Sequence, residues 1–386
     1  MKKLLVLLVF LLPSTTLASL GPAQTITQDG LRAQYASSTL KILIVPGHDP
    51  IHWGTQFILG KTHYKEGDLT LLLGFALQKY LSSDTHIQTA ISRERDGSWA
   101  SWLTNYVNEH DKDVWAYQKS QAGLLDKAAS AGTFTPATST LHNLADPDTR
   151  TYLFAINKYA NDNHYDLVIH IHFDDYGGRP VGAVGPYTGY TIFVPDTQFS
   201  SAEASKAVAQ SLRSVLDTFM PGSSLPSESG VIVPDQNLIA VGEDATRDGA
   251  SILTEYSYIY EPQIRSAETR KAFINELAHE TYLGIEQFFS PSTKTVVSST
   301  FLPHIWNKGV AKGTFGSLDI MSAQYALTSL GYYPPPGKTF SGCAISGVFG
   351  NCTKTALLNF QVAKLGQGTG AFGPATRNLL NKLFGK

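Results

Sequence analysis

Four side chains in this sequence could act together on a hydrolysable bond. His48 follows the apolar, β-rich run KILIV, and Glu66 opens a leucine-rich run with helical spacing. His172 and Glu255 each end an apolar run, DLVIHIH and SILTE respectively. Ligands of α/β proteins collect at the carboxyl ends of strands, so we expect these groups to meet at one edge of a sheet. Two imidazoles and one carboxylate match the three protein ligands of an open zinc site, and a second carboxylate could move a proton.

The spacing alone leaves a second interpretation open, in which each histidine is a buried structural residue. The helical zinc motif HExxH is absent from the sequence. His170 lies two positions before His172, on the same face of the predicted strand, so it is a competing candidate for a metal ligand.

The elements that must position these groups follow from hydrophobic periodicity. From residue 41 onward, short β-rich runs alternate with segments of helical spacing, which indicates an α/β domain with a mostly parallel central sheet flanked by helices. The predicted strands are residues 41–45, 86–92, 166–172, 190–194, 237–241 and 251–255. The predicted helices are residues 69–81, 202–219 and 267–289.

Residues 98–147 interrupt this alternation and read as an insertion. The segment is rich in aromatic side chains, namely Trp99, Trp102, Tyr106, Trp115 and Tyr117. Two interpretations are open. The aromatic residues could form the core of a small helical subdomain, or the segment could be a lid that gates the cleft, as long insertions near active sites often are.

The C-terminal segment contains an internal repeat. Residues 347–354 and 370–377 both match G-x-F-G-x-x-T-[KR]. A helix-forming run follows each turn, with Thr353 and Thr376 placed as candidate N-caps. An earlier helix over residues 318–330 is predicted to end at Gly331, since glycine favours the left-handed conformation there. These elements predict a small three-helix bundle, whose simplest role would be that of a structural appendage.

The N-terminus has the pattern of an export signal. Met1-Lys2-Lys3 precedes nine apolar residues at positions 4–12, and a proline and small residues follow. Nine apolar residues are too few to cross a bilayer, which takes about 20. We therefore expect cleavage near Ala18 and an exported protein, in the periplasm or in the cell wall and extracellular space, without a membrane anchor after cleavage.

The charge and the cysteine content limit which classes of partner and metal site the chain can have. The 386-residue chain has 30 Lys+Arg against 32 Asp+Glu, without the basic surplus of a nucleic-acid-binding protein, so no nucleic-acid partner is expected. Two cysteines cannot build an iron–sulfur cluster or a cysteine-rich zinc module. In an exported chain, the pair Cys343 and Cys352 predicts one disulfide, with two free thiols as the alternative.

Five short motifs occur in a characteristic order. They are PGH (46–48), EGDL (66–69), ISRERD (91–96), IHIHFD (169–174) and ILTE (252–255). Across residues 40–290, the insertion excepted, this order resembles the zinc-dependent N-acetylmuramoyl-L-alanine amidases of the Amidase_3 family. The resemblance implies one Zn²⁺ ion with His48, Glu66 and His172 as its ligands, and Glu255 as the catalytic carboxylate. The register of the fourth motif favours His172 over His170.

Several positions depart from the family pattern. Val45 stands where the family usually has an Asp, and residues 49–50 and 256–258 replace common glycine-containing pairs. None of these departures removes a ligand, so they bear on the shape of the pocket and its fine specificity. Arg93 and Asp96 match the family's Thr-Arg-x-x-Asp stretch, and we interpret them as an ion pair that braces the site, with a substrate contact as the alternative.

The tail resembles the PG_binding_1 type of peptidoglycan-binding domain through its repeated turns and the sequence Asn359-Phe360-Gln361. Together the resemblances imply an exported zinc hydrolase that cleaves the amide between N-acetylmuramic acid and L-Ala of peptidoglycan, its partner, with the C-terminal domain as the wall anchor. Two alternatives are a zinc peptidase that cuts stem-peptide bonds and a non-catalytic wall-binding regulator.

The predicted organisation has five parts. They are a signal peptide at residues 1–18, a linker at 19–38, an amidase-like catalytic domain at 39–290, a second linker at 291–312 and a peptidoglycan-binding-like domain at 313–386. The catalytic domain contains the 98–147 insertion. The sequence does not indicate an oligomeric state.

Overall fold

A computed structural model describes residues 25–137, 145–243, 245–291 and 299–385. The predicted export signal at residues 1–18 lies outside these ranges and stays a prediction. Within the described ranges, no helix combines the length and the apolar character needed to span a bilayer.

Strands and helices alternate along the first part of the chain, and helices alone make up the last part. The strands are β1 (Leu40–Pro46), β2 (Gln56–Leu59), β3 (Thr62–Lys65), β4 (Ile87–Ile91), β5 (Leu167–Asp174), β6 (Thr191–Pro195), β7 (Ile232–Asp235) and β8 (Ala250–Tyr258). The helices are α1 (Gln28–Ser37), α2 (Glu66–Leu81), α3 (Ser101–Ser130), α4 (Pro147–Asp162), α5 (Ala202–Leu216), α6 (Pro262–Arg265), α7 (Ala267–Phe289), α8 (Leu318–Ser329), α9 (Asn351–Leu365) and α10 (Pro374–Phe384), with a 3₁₀ turn at Pro226–Glu228.

Six strands form the central sheet, in the order β4-β1-β5-β8-β6-β7. Neighbouring strands are parallel except for β6 and β8, which are antiparallel. The predicted α/β class with a mostly parallel sheet is therefore confirmed. Because β1, β5 and β8 are the central strands of the parallel part, their carboxyl ends meet at one edge.

Helices cover both faces of the sheet, as the burial of β1 shows. Ile42 and Ile44 belong to the core shared with α2, α5 and α7, whereas Leu43 and Val45 pack with residues of α3 and α4. Successive side chains of a strand point to opposite faces, which explains this division. In β5 the same alternation places His170 and His172 on the face that α3 and α4 cover.

Aromatic residues of the insertion pack between α3, α4 and the sheet. Trp99 stacks on Tyr152 with ring centroids 4.7 Å apart, and Trp102 lies 4.3 Å from the ring of Tyr159. Leu103 of α3 is fully buried in the same core. These contacts join the insertion to α4 and the sheet in one core. A separate helical subdomain and a lid over the cleft both stay predictions.

One strand lies earlier in the chain than its predicted position. Residues 237–241 form turns, whereas β7 comes just before them. The carboxylate of Asp235 accepts the backbone N–H groups of Asn237 and Leu238, both at 2.7 Å. This local hydrogen bonding bends the chain and competes with strand pairing, so the apolar run NLIAV does not extend the sheet.

Two further elements lie in segments that the sequence analysis read as linker or loop. Helix α1 falls within residues 19–38; Thr27 caps it by accepting from the N–H of Gly30 at 3.1 Å, and Leu31 is buried against the main core. Strands β2 and β3 form a hairpin directly before α2. A single buried leucine and four-residue strands leave little periodic signal in a sequence.

The C-terminal helices α8, α9 and α10 form the predicted bundle, and a buried glutamine organises its first repeated turn. The amide nitrogen of Gln324 donates to the carbonyl of Val348 at 3.1 Å and to the hydroxyl of Thr353 at 2.9 Å. Its amide oxygen accepts the backbone N–H groups of Ser346 and Gly347 at 2.9 and 3.0 Å.

Gln361 makes the same four contacts in the second turn. Its nitrogen donates to Ala371 and Thr376, both at 2.7 Å, and its oxygen accepts from Thr369 and Gly370, both at 2.8 Å. The sequence repeat is therefore a repeat of one hydrogen-bonded turn.

The prediction that Thr353 and Thr376 are N-caps is wrong, because Gly350 and Gly373 occupy the cap positions of α9 and α10. The two hydroxyls lie inside the bundle, where they accept from the glutamines.

Two other features of the bundle follow the sequence expectations. Helix α8 ends at Ser329, and Gly331 has a φ of 77°, as predicted for a left-handed helix terminus. The sulfur atoms of Cys343 and Cys352 lie at disulfide distance, 2.04 Å, with Cα atoms 5.7 Å apart.

Candidate metal centre

His48 leaves the carboxyl end of β1 in an unusual backbone conformation, with a φ of 65°. The preceding Gly47 is fixed from several sides: its N–H donates to Ile171 of β5 at 2.9 Å, and its carbonyl accepts the Thr70 hydroxyl of α2 at 2.7 Å. A Cβ atom on Gly47 would lie 2.4 Å from the ring of His172. Only glycine at this position lets the two histidines approach each other.

Glu66 is the first residue of α2, and the β2–β3 hairpin brings it back to the end of β1. Its carboxylate lies between the two imidazoles: Oε2 is 3.0 Å from His48 Nε2, and Oε1 is 2.9 Å from His172 Nδ1. The backbone N–H groups of Thr55 and Phe173 donate to the same two oxygens at 2.9 and 3.1 Å. These contacts hold a buried carboxylate in one orientation.

The pKa values of Glu66 and His48 depend on the charge that each group places beside the other. Burial by itself would raise the pKa of Glu66, but His48 and His172 hold it well below its usual value. Burial would lower the pKa of His48, but the Glu66 carboxylate raises it above its usual value. Glu66 is thus an anion that favours positive charge beside it.

The donor set fits a zinc ion. One donor atom from each of His48, Glu66 and His172 lies within 4.8 Å of the others. Imidazole nitrogen and carboxylate oxygen are both zinc ligands, and three protein ligands leave a position open for water or substrate.

Glu255 lies on β8 directly opposite His172 in the parallel register of β5 and β8. It is 8% exposed, and among the described residues its Oε2 atom has no hydrogen-bond partner. Burial raises the pKa of Glu255 well above its usual value, and the negative charges of Asp174, Glu66 and Glu228 add to the shift. Glu255 shares a cleft of about 740 Å³ with the three predicted ligands.

A second cavity of about 550 Å³ also borders His48 and His172. Its walls include the aromatic rings of Trp53 and Trp99. His52 ties these walls together, because it lies 3.1 Å from Asp49 after β1 and 3.2 Å from Asp146 at the start of α4. Its hydrogen bond with Asp49 raises the pKa of His52.

His170, the competing imidazole, lies apart from the three donor groups. It is 2% exposed, and no hydrogen-bond partner for its Nε2 atom occurs in the described part of the chain. Burial, with the neighbouring His172, lowers the pKa of His170 to about 3. A neutral, buried imidazole of this kind contributes to packing behind the site.

The expected ion pair of Arg93 with Asp96 is replaced by other contacts. Arg93 donates through Nε to the carbonyl of Gly97 at 2.7 Å and through a guanidinium nitrogen to the carbonyl of Gly47 at 3.5 Å. Asp96 accepts instead from Ser98, through the backbone N–H at 3.0 Å and the hydroxyl at 2.7 Å. Arg93 still braces the loop that carries His48, but by hydrogen bonds to carbonyls.

Glu228 is a site residue that the sequence analysis missed. It lies in the 3₁₀ turn, is 1% exposed, and accepts from Thr191 Oγ1 at 3.0 Å and Tyr258 Oη at 3.2 Å. Its charge contributes to the raised pKa of Glu255. A glutamate in a Pro/Ser-rich loop carries no periodic or motif signal, so the sequence offered no way to find it.

Solved structures similar to this chain include three bacterial enzymes. The N-acetylmuramoyl-L-alanine amidase from Clostridium difficile 630 is 17% identical, with a TM-score of 0.40, and the match covers 67% of this chain and 100% of that chain. The amidase Ami1 from Mycobacterium smegmatis is 14% identical with a TM-score of 0.40, over 66% of this chain and 98% of that one. The amidase AmiC2 of Nostoc punctiforme is 14% identical with a TM-score of 0.39, over 65% and 97%.

No curated protein matches the sequence. Residues 317–380, which contain α8, α9 and most of α10, match the family model PG_binding_1, described as "Putative peptidoglycan binding domain". The chain therefore carries, in its C-terminal bundle, the peptidoglycan-binding type of domain that its repeated turns predicted.

Proposed function

We propose that this protein is a zinc-dependent hydrolase that cleaves the amide between N-acetylmuramic acid and L-Ala of peptidoglycan. The observation that carries the proposal is the position of the Glu66 carboxylate, 3.0 Å from His48 and 2.9 Å from His172, beside the separate buried carboxylate of Glu255. The peptidoglycan-binding type of domain at residues 317–380 supports the choice of substrate.

In this proposal His48, Glu66 and His172 hold the metal. A zinc ion held by these residues would act as a Lewis acid that polarises a carbonyl and would lower the pKa of a bound water to about 7. The Thr55 and Phe173 amides keep the Glu66 carboxylate oriented, and Arg93 and Thr70 hold the Gly47 carbonyl beside His48.

Glu255 transfers the proton. Its raised pKa means that the carboxyl group binds a proton more tightly than an exposed glutamate does. In its ionised form the carboxylate accepts a proton from the attacking water as the new C–O bond forms, and passes that proton to the nitrogen of L-Ala as the C–N bond breaks. Two cavities border His48 and His172, and they offer room for substrate next to the proposed metal site.

Export, wall anchoring and the disulfide complete the proposal. The N-terminal signal pattern directs the chain out of the cytoplasm. Outside it, Cys343 and Cys352 are oxidised to a disulfide. Binding of the C-terminal domain to the wall raises the local concentration of scissile bonds around the catalytic cleft.

Mass spectrometry of the soluble products from purified peptidoglycan tests the function. The full chain, the chain with a zinc chelator, and Glu255→Gln are compared, with Glu203→Gln on the exposed face of α5 as the matched control. Free stem peptides that begin at L-Ala, released only with metal and with Glu255, are the expected result.

Other products would select the alternatives. Sugar-linked fragments cut inside the stem would identify a zinc peptidase. A folded protein that binds peptidoglycan but releases nothing would identify a wall-binding regulator.

A further inference from the structure

A second group of potential metal ligands lies on α7, away from the catalytic cleft. Glu276, His279 and Glu280 are spaced so that they share one face of the helix, and one donor atom from each lies within 4.8 Å of the others. Glu276 also reaches the chain that leads into the C-terminal bundle, because its Oε2 accepts the backbone N–H and the hydroxyl of Thr300 at 2.7 and 2.6 Å.

The carboxylates in this group are buried and incompletely satisfied. Glu280 is 1% exposed, and within the described ranges neither of its oxygens has a hydrogen-bond partner. Glu276 is 0% exposed, and its Oε1 atom likewise has no hydrogen-bond partner within the described ranges. Unpaired buried carboxylate oxygens are strongly unfavourable, so proteins compensate them with a cation, a proton or hydrogen bonds.

The imidazole of His279 completes the group. Its Nδ1 atom lies 3.7 Å from Glu280 Oε1, which is longer than a hydrogen bond, and its ring packs edge-on against Tyr80 with centroids 5.3 Å apart. The ring is thereby held with one nitrogen towards the carboxylates.

We infer that Glu276, His279 and Glu280 bind a second divalent transition-metal ion, such as Zn²⁺, that braces α7 where the chain enters the C-terminal bundle. An imidazole with two carboxylates suits zinc and its first-row neighbours, whereas Ca²⁺ and Mg²⁺ prefer oxygen ligands alone. The bound ion pairs with carboxylate oxygens that have no hydrogen-bond partner among the described residues. It also stabilises the Glu276 carboxylate that accepts from Thr300.

A shared proton is the competing explanation. Burial and the neighbouring Glu280 raise the pKa of Glu276 to about 7, so a proton could neutralise one of the two carboxylates near neutral pH. A proton would satisfy one carboxylate oxygen and leave other oxygens of Glu276 and Glu280 without a hydrogen bond from the described part of the chain. Metal content distinguishes the two explanations, since only the first adds an ion to the chain.

The test counts zinc in the full chain after removal of metal, addition of excess Zn²⁺ and desalting. His48→Ala/His172→Ala removes the cleft ligands, Glu280→Gln removes the second group at nearly constant volume, and Glu268→Gln on the exposed face of α7 is the control. We expect about two ions per chain in the unsubstituted protein and in the control, about one in each of the first two variants, and none in their combination.

The thermal midpoint gives an independent readout. Zn²⁺ should raise the midpoint of His48→Ala/His172→Ala, and this rise should vanish when Glu280→Gln is added. A His48→Ala/His172→Ala protein that binds no zinc, or binds one ion regardless of Glu280→Gln, would overturn the inference. That protein keeps α7 unchanged, so its zinc count decides the matter even where Glu280→Gln fails to fold.

The inference is independent of the proposed function. A single ion that survives His48→Ala/His172→Ala and is lost in Glu280→Gln would support the α7 site while contradicting the catalytic one.

Discussion

His172 and Glu255 are direct neighbours in the parallel register of β5 and β8. Residues paired in this way point to the same face of the sheet, so one strand supplies a predicted metal ligand and the next supplies a carboxylate at the same depth. Glu66 then approaches from the start of α2 and contacts His172 at 2.9 Å. This arrangement supports the proposed roles of Glu66 as a metal ligand and of Glu255 in proton transfer.

The first prediction concerns Glu255 in hydrolysis. Glu255→Gln keeps the size of the side chain but cannot accept a proton, so hydrolysis of peptidoglycan should fall by about 10²–10⁴-fold. Zinc content should not change, because Glu255 is not among the three predicted ligands. Rates of stem-peptide release, measured beside metal analysis, check both parts; a rate within a factor of two of the parent would contradict the role.

The same variant should change how stability depends on pH. The folded-state pKa of Glu255 is raised above the ordinary value of 4.5, so the folded protein binds this proton more tightly than the unfolded chain does. The stability that the folded state gains from this tighter proton binding is fully present below pH 4.5. It is lost as the pH rises through the folded-state pKa of Glu255.

Glu255→Gln removes the loss of stability that ionisation of Glu255 causes at rising pH. In the metal-free protein it should raise the free energy of unfolding at pH 8, with little change at pH 4. Urea unfolding at the two pH values measures the difference, with the exposed Glu203→Gln as reference. An equal effect at both pH values would show that Glu255 is not the group that titrates.

A matched pair of substitutions separates the two histidines of β5. His172→Ala should remove about one zinc ion per chain and abolish hydrolysis, because three protein ligands are the minimum of a stable catalytic site. His170→Ala should keep that ion and lower the free energy of unfolding by about 1–3 kcal/mol through the cavity it leaves. If His170→Ala were the variant that loses metal, the choice of ligand would be reversed.

Gly47 should be intolerant of any side chain. A Cβ atom there would lie 2.4 Å from the His172 ring, so Gly47→Ala must push a predicted ligand out of place. We expect zinc affinity to fall by about 10- to 100-fold, as for other changes beside metal ligands. Gly123→Ala, where a Cβ meets nothing within 4 Å, is the control, and competition with a zinc chelator measures both.

Gln361 should contribute to the stability of the C-terminal bundle although its side chain is uncharged. Gln361→Ala leaves the groups that it contacts in the second turn without partners, and should lower the free energy of unfolding by about 1–3 kcal/mol. Peptidoglycan sedimentation should show weaker wall binding. The exposed Gln367→Ala should change neither quantity.

The parts of this protein that could be predicted are those specified by short stretches of neighbouring residues. The runs before His48, around His172 and before Glu255 are short, apolar and β-branched, so the strands that carry these residues are visible in the sequence. The repeated G-x-F-G-x-x-T turns likewise encode a structure that closes within a few residues. Prediction failed at residues 237–241, where the carboxylate of Asp235 turns the chain out of the sheet.

The sequence by itself determined which side chains stand at strand ends, and hence that two imidazoles and two carboxylates could meet, because periodicity and chain direction are local properties. Only the tertiary structure decided which groups touch. It placed Glu66 between His48 and His172, directed Arg93 to Gly47 and Gly97, and added Glu228 from a distant turn. It also left the carboxylates of Glu276 and Glu280 buried together on α7. Those pairings depend on sheet register and on burial against elements far along the chain, and neither is written in the spacing of residues.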